Sequence, residues 1–144
     1  MHRFLDKHFG QAEEINGGHR CPTYMYRWVV AQGQKWKAYL HKIVGDDWSL
    51  DRHDHPKRFI SIGLWGSYLE ETPAGLKRFR APWIRSFPAE YQHRLSTPWG
   101  TCWTLCIVLE MTREWGFWHE GKWIHWRDYV DGVDGIADKM TACK

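Results

Sequence analysis

Short β-type runs recur along most of the chain and constrain its fold more than any other feature of the sequence. From Thr23 onward, segments rich in Tyr, Trp, Val and Ile are interrupted by Gly, Pro or Asp, at intervals of roughly 8 to 12 residues or fewer. This pattern is typical of an antiparallel all-β sandwich or barrel. It predicts strands near residues 24–31, 36–44, 50–55, 58–64, 66–71, 76–80, 83–87, 92–95 and 101–109.

The two ends of the chain depart from this pattern. Residues 1–22 are mostly polar, so we predict an N-terminal extension, and the Asn-Gly-Gly cluster within 16–22 predicts a loop there. Near the other end, residues 126–140 are predicted to form a short C-terminal helix, although Gly132 and Gly135 disfavour it. No repeat or linker interrupts the sequence, so residues 1–144 are predicted to form one domain.

Composition and charge exclude several classes of protein. An apolar share of 43% with 16% aromatic residues argues against disorder. No apolar run approaches the roughly 20 residues that span a bilayer, and the N-terminus does not resemble a signal peptide. We therefore expect a cytoplasmic protein without a membrane partner. The net charge of +3 gives no reason to expect a nucleic-acid partner, even though residues 77–85 alternate cations with aromatic side chains.

The four cysteines form no CxxC pair. Cys102 and Cys106 lie in a predicted strand, about 13 Å apart along one face, which is too far for a mutual disulfide. A chain of this length buries a sufficient core without covalent links. We expect reduced, mostly buried thiols at Cys21, Cys102, Cys106 and Cys143, with a reactive thiol as the alternative.

Two histidines stand in a pattern that suits a metal ion. His53 and His55 are one residue apart in a β-type segment, so the strand period of two directs both imidazoles to the same face. Such a pair needs a third ligand from elsewhere in the fold. His93 is the best candidate, because it follows the Pro-bounded turn PAEYQH at the start of another predicted strand. The alternative is a hydrogen-bonded structural pair with no metal.

These segments resemble the two motifs of the cupin superfamily. HDHPKRFISIGLWG (53–66) is similar to the first motif, H-x-H followed by Glu and Gly, and PAEYQH (88–93) is similar to the second, P-x-G-x-x-H. The resemblance implies a jelly-roll β-sandwich or barrel that holds a divalent metal through His53, His55 and His93. Cupins often dimerise, so it also implies a homodimer.

The departures from the motifs affect the expected ligands. Phe59 or Ile60 stands where the first motif has Glu, and Glu90 replaces the Gly of the second motif. A three-His site then resembles the thiol dioxygenase branch of cupins, although Glu90 is an alternative source of the missing carboxylate. His41 is a further candidate, as a fourth ligand, as a partner of a ligand or as an ordinary core histidine.

Other polar residues are weaker candidates for the site. Tyr68, Tyr91 and Ser61 are possible polar groups beside an open metal position, and Asp51 is a possible hydrogen-bond partner of an imidazole. Asp54 has the opposite strand parity and is predicted to be a surface or hydrogen-bonding group. His119 and His125 are expected to pack among tryptophans.

A longer string also resembles small cupin-like proteins of phages and bacteria that have no settled activity. It comprises YLHKIV, HDHP, F-x-S, L-x-G-x-Y-x-E, CWTL and REWGFW. This resemblance supports the fold and supplies little chemistry. The resemblance to three-His cupins implies a metal-dependent enzyme acting on a small molecule, with Fe preferred to Zn, Mn or Ni and an oxygen-dependent reaction. The alternative is a non-catalytic protein that binds a small molecule in the same pocket, or an interaction protein of a phage.

Overall fold

The computed structural model describes residues 1–143. Its secondary structure is mostly antiparallel β, with short helices at the two ends. In chain order the elements are α1 His2–Phe9, β1 Glu13–Ile15, β2 Met25–Gln32, β3 Lys37–Ile43, β4 Arg52–His53, β5 Lys57–Trp65, β6 Ser67–Thr72, β7 Gly75–Arg80, β8 Trp83–Phe87, β9 Arg94–Ser96, β10 Cys102–Met111, β11 Gly116–His119, β12 Lys122–His125, α2 Trp126–Asp131 and α3 Ile136–Lys139.

The described residues contain three sheets. The large sheet has the strand order β1-β2-β3-β10-β5-β8, and the two small sheets have the orders β7-β6-β9 and β12-β11-β4. Along β10, buried Cys102, Thr104 and Cys106 alternate with less buried residues, as expected when one face of a sheet covers a core. The predicted all-β, jelly-roll type of architecture is confirmed.

The core lies in three clusters. One joins Ile43 and Tyr68 to Cys102, and a second joins Phe59 and Phe87 to Cys106. The third cluster packs β11 against the C-terminal helices through Phe117, Tyr129 and Ala137. The first cluster packs β6 against the inner face of the large sheet, and the second lies on that sheet, on β5, β8 and β10. A cavity remains between the large sheet and the small ones.

The predicted N-terminal extension contains secondary structure that the polar sequence concealed. Helix α1 buries Leu5, and Asp6 Oδ1 accepts a hydrogen bond of 2.9 Å from Nε1 of the buried Trp28. Strand β1 then adds to the edge of the large sheet beside β2. The prediction of a loop at 16–22 is confirmed.

The predicted C-terminal helix is two short helices with a break between them. Helix α2 ends at Gly132, whose backbone is extended, and Gly135 adopts a left-handed conformation with φ of 60° before α3. A Cβ at Gly132 would collide with the carbonyl oxygen of Asp128. Both glycines that disfavour the helix in the sequence are therefore where it breaks. None of the described helices has the length and apolarity needed to cross a membrane.

The prediction of four reduced thiols is wrong for two of them. Cys21 and Cys143 form a disulfide across 122 residues of sequence, with Cα atoms 5.4 Å apart. The C-terminal segment is bound to the segment between β3 and β4, where Ala142 N donates to Trp48 O at 2.7 Å and Thr141 pairs with Ser49. The Sγ atom of Cys21 lies 3.7 Å from the same Trp48 oxygen, so Cys143 and Cys21 meet there. Cys102 and Cys106 are free and buried, as predicted.

Candidate metal centre

Backbone pairing brings the three candidate histidines together. His53 and His93 form an antiparallel bridge, with backbone hydrogen bonds of 2.9 and 3.0 Å in the two directions. The backbone of His55, just beyond β4, donates to the carbonyl oxygen of Ala89 at 2.9 Å. The turn that contains the second motif is thus fastened alongside the H-x-H segment, although the two lie about forty residues apart in the sequence.

The three imidazoles form a compact triangle. Ring centroids are 5.1 Å apart for His53 and His55, 5.1 Å for His53 and His93, and 4.9 Å for His55 and His93. One nitrogen from each ring lies within 4.8 Å of the others. This spacing is compatible with one divalent metal ion after small side-chain adjustments, since metal–nitrogen bonds are roughly 2.0–2.1 Å long.

Each ring turns its Nδ1 atom towards a protein acceptor. Nδ1 of His93 lies 2.8 Å from Glu70 Oε1, and Nδ1 of His55 lies 3.1 Å from the carbonyl oxygen of Tyr91. Nδ1 of His53 is 3.7 Å from Asp47 Oδ2, a weaker contact. For His93 and His55, the bonded Nδ1 carries the proton and leaves Nε2 as the lone-pair nitrogen that a metal needs.

The environment keeps two of the imidazoles neutral. Burial lowers the pKa of His53 to about 4, with the nearby His93 acting in the same direction and Asp47 opposing it. Burial and the neighbouring histidines lower the pKa of His55 well below its usual value. Neutral imidazole is the form that binds metal, so these residues need not lose a proton first at neutral pH.

A buried carboxylate that the sequence analysis missed supports the triangle. Glu70 is 2% exposed and accepts hydrogen bonds from His93, from Arg85 Nη2 at 2.8 Å and from Tyr91 Oη at 2.9 Å. Burial alone would raise its pKa, but the bonds from His93 and Arg85 outweigh burial and lower the pKa to about 2. Glu70 is therefore an anion that orients His93.

A signal for Glu70 was present in the sequence. Tyr68 and Glu70 are two residues apart in a predicted strand, so an inward Tyr68 implies an inward carboxylate. A charge on a buried strand face needs partners, which marks it as a candidate for a built site. Glu90 does not have this role, because it lies exposed in the turn before His93 and outside the group of histidines.

The weaker candidates have varied positions. Tyr68 and Ser61 line the cavity, and Tyr91 binds Glu70. Asp51 does orient an imidazole, but that of His119, whose Nδ1 is 2.8 Å away. His119 and His125 are thus held by carboxylates as well as by packing, since Glu114 contacts His125 at 2.8 Å.

Asp54 was predicted to be a surface or a hydrogen-bonding group, and it is a buried hydrogen-bonding group. It is 1% exposed and accepts bonds from the backbone of Gly116 at 2.8 Å and from Trp123 Nε1 at 3.0 Å. Arg113 Nη1 lies 3.0 Å from Oδ2, the oxygen that also accepts from Trp123. Asp54 therefore ties the H-x-H segment to β11.

The triangle opens into a cavity of about 500 Å³ between the sheets. This volume is in the range of small-molecule sites. Apolar and aromatic side chains such as Met25, Ile43, Phe59, Phe87 and Leu95 form much of its wall. His41 lines the same cavity from β3, outside the three-histidine group, and its Nε2 atom is buried with no hydrogen-bond partner among the described residues.

No protein-family model and no curated protein matches the sequence. Solved structures do resemble the chain. KdgF from Halomonas sp. is 14% identical with a TM-score of 0.58, over 74% of this chain and 92% of that one. A sugar phosphate isomerase of the cupin superfamily from Silicibacter pomeroyi is 12% identical with a TM-score of 0.55, over 65% of each chain.

A third similar structure is a cupin superfamily protein from Desulfitobacterium hafniense. It is 15% identical with a TM-score of 0.50, over 60% of this chain and 77% of that chain. At identities this low, structural similarity establishes the fold and gives no evidence of a shared activity. The resemblance to cupins seen in the sequence is confirmed at the level of architecture: the chain has the cupin fold.

Proposed function

We propose that this protein is a metal-dependent enzyme that acts on a small molecule, with His53, His55 and His93 holding one divalent ion at the wall of the cavity. The observation that carries the proposal is the grouping of the rings. One nitrogen from each of the three imidazoles lies within 4.8 Å of the others. The Nδ1 atoms of His93 and His55 are bonded to protein acceptors, which leaves their Nε2 atoms for an ion.

An ion held by three neutral imidazoles keeps open coordination positions and supplies Lewis-acid chemistry or, if it is iron, redox chemistry with oxygen as co-substrate. The protein contributes orientation and shielding. Glu70 holds His93 in one tautomer, Asp54 fastens the H-x-H segment, and Phe59 and Phe87 give the cavity an apolar wall. Our preference for iron and an oxygenase reaction follows the resemblance to three-histidine cupins.

A non-catalytic binding protein is the second candidate. The two buried carboxylates near the triangle are fully engaged, Glu70 by His93, Arg85 and Tyr91 and Asp54 by a backbone amide, Trp123 and Arg113. Neither is available as a general base without breaking these bonds. This observation favours a protein that binds a small molecule in the cavity without chemistry, and it makes metal content the decisive first property.

Metal analysis of protein purified without a histidine tag tests the proposal. We expect close to one Fe, Mn, Ni or Zn ion per chain, or a rise in melting temperature when one of these ions is added. His93→Ala should abolish both effects, whereas His125→Ala, a histidine outside the group, should change neither. Protein that takes up none of the four ions overturns the proposal and leaves the binding protein.

If the protein retains a metal ion, the next experiment is an activity assay. Oxygen consumption by the iron-loaded protein should be screened with small thiols and small organic acids. Consumption that disappears in His93→Ala supports the oxygenase reaction. Metal binding without consumption for any of these compounds contradicts the oxygenase part while leaving the metal site in place.

A further inference from the structure

A row of polar side chains crosses the inner face of the large sheet. Arg27 on β2 is paired in register with His41 on β3, and His41 is paired with Thr104 on β10. All three residues line the same cavity as the three histidines. Directly paired residues on one face of a sheet have Cβ atoms roughly 4.5–5.5 Å apart, so their side chains lie close enough to bind one group together.

His41 has a nitrogen that no protein group satisfies. Its Nε2 atom is buried and has no hydrogen-bond partner in residues 1–143. Buried polar atoms in folded proteins are nearly always paired, so an unpaired one on a cavity wall indicates a partner that occupies the cavity. The imidazole lies beside the ring of Tyr39, with centroids 6.0 Å apart, which restricts where Nε2 points.

Arg27 has unused hydrogen-bonding capacity beside His41. Its Nε and Nη2 atoms donate to the carboxylate of Glu13 at 2.6 and 3.0 Å, and its guanidinium lies 4.8 Å from the centre of the Tyr39 ring. Among the described residues, no partner is seen for Nη1. The guanidinium is thus held in a fixed plane with one donor edge left over.

The charge of this row selects the kind of ligand. Burial, reinforced by the charge of Arg27, lowers the pKa of His41 to about 3, so the imidazole is neutral. A neutral N–H donor beside a cationic N–H donor suits a group with two acceptor oxygens. Because Glu13 already balances part of the Arg27 charge, a singly charged planar group fits better than a doubly charged phosphate.

We propose that Arg27 Nη1 and His41 Nε2 bind the carboxylate of a small organic acid whose other end faces His53, His55 and His93. The identity of the acid as a substrate rests on the proposed function. Carboxylate binding itself does not, because neither Arg27 nor His41 belongs to the three-histidine group. The metal-free protein therefore tests the carboxylate site separately from the metal site.

Nitrogen NMR of the metal-stripped, isotope-labelled protein provides the test, with propionate as the probe and propionamide and inorganic phosphate as comparisons. Propionate should shift the ring nitrogens of His41 in a saturable manner, and the other two compounds should bind more weakly. Arg27→Gln and His41→Asn should each weaken propionate binding about fivefold or more. Lys57→Gln, which removes another cation from the cavity wall, should change binding by less than about twofold.

Three results would overturn the inference. Propionate could bind without shifting the ring nitrogens of His41. Propionamide could bind as tightly as propionate, or the loss of Lys57 could weaken propionate binding when the loss of Arg27 does not. Melting temperatures show whether the variants fold. If His41→Asn does not fold, Arg27→Gln decides the outcome, because Arg27 lies at the partly exposed mouth of the row. If the protein binds metal but fails this test, only the proposed carboxylate site is contradicted and the proposed metal site stands.

Discussion

His93 and Glu70 are joined by a hydrogen bond of 2.8 Å between Nδ1 and Oε1, and both side chains are almost completely buried. Arg85 and Tyr91 hold the same carboxylate from its other side. The bond fixes the plane and tautomer of the imidazole whose backbone is bridged to His53. A glutamate that binds no metal itself thereby decides the direction of one proposed ligand.

Glu70→Gln should weaken metal binding by about 10- to 100-fold, as expected when the hydrogen-bond partner of a ligating histidine is altered. Competition with a fluorescent chelator measures the affinity. Glu114→Gln is the matched control, because Glu114 also contacts a histidine, His125, at 2.8 Å but outside the proposed site. Equal affinities for wild type and Glu70→Gln would show that the bond does not support a metal ligand.

His41 should make the metal-free protein less stable in acid. Its pKa is about 3 in the folded state and about 6.5 when exposed, so between these values the unfolded chain binds a proton that the folded chain does not. Stability is therefore full above about pH 6.5 and falls as the pH drops, by about 1.4 kcal/mol per pH unit from this residue.

Urea denaturation at pH 6 and pH 5 measures this effect. His41→Gln should remove about one proton from the pH dependence of the free energy of unfolding. Identical slopes for wild type and His41→Gln would contradict the buried, neutral state of His41.

The disulfide between Cys21 and Cys143 should contribute substantially to stability. It closes a loop with a sequence separation of 122, and restricting so long a loop in the unfolded chain stabilises the folded state by about 4 kcal/mol. Cys143→Ser should lower the free energy of unfolding by that amount. Cys106→Ala is the comparison, because it removes a buried thiol that belongs to no disulfide. Thiol titration in denaturant without reductant should find two reactive groups, and four groups would contradict the pairing.

The turn between β5 and β6 should tolerate no side chain at Gly66. Its φ is 81°, and a Cβ there would collide with the carbonyl oxygen of Thr101. Gly66→Ala should therefore cost about 2 kcal/mol or more. Gly100→Ala, with φ of 97° and nothing near the added carbon, should cost about 1 kcal/mol. Denaturation curves compare the two, and equal costs would contradict the packing of this turn.

The strands of the central region could be predicted because their alternation and their turns agree. Each predicted strand from 24–31 to 101–109 has an observed counterpart, although β4 is only Arg52–His53. Strands β11 and β12 were not predicted, because each has only four residues and their aromatic side chains were interpreted as packing groups. The turn between them, Glu120-Gly121, has positive φ at both residues, and such a turn is a hairpin signal.

The site was less predictable than the fold. The period of the strand favoured the pairing of His53 with His55, and the Pro-bounded turn favoured His93. Glu70 was missed because its contact with His93 depends on the register in which β6 pairs with β9, where Glu70 lies opposite Leu95 and therefore diagonal to His93. The disulfide was missed for the same reason, since no local pattern relates Cys21 to Cys143.

X-ray absorption of the zinc-loaded protein tests the central claim most directly, since zinc adopts the geometry that its ligands offer. The account predicts a first shell with three imidazole nitrogens at about 2.0–2.1 Å, reduced to two in His55→Ala. A shell with one imidazole or none, or a spectrum that His55→Ala leaves unchanged, would contradict the proposal that His53, His55 and His93 hold a metal ion.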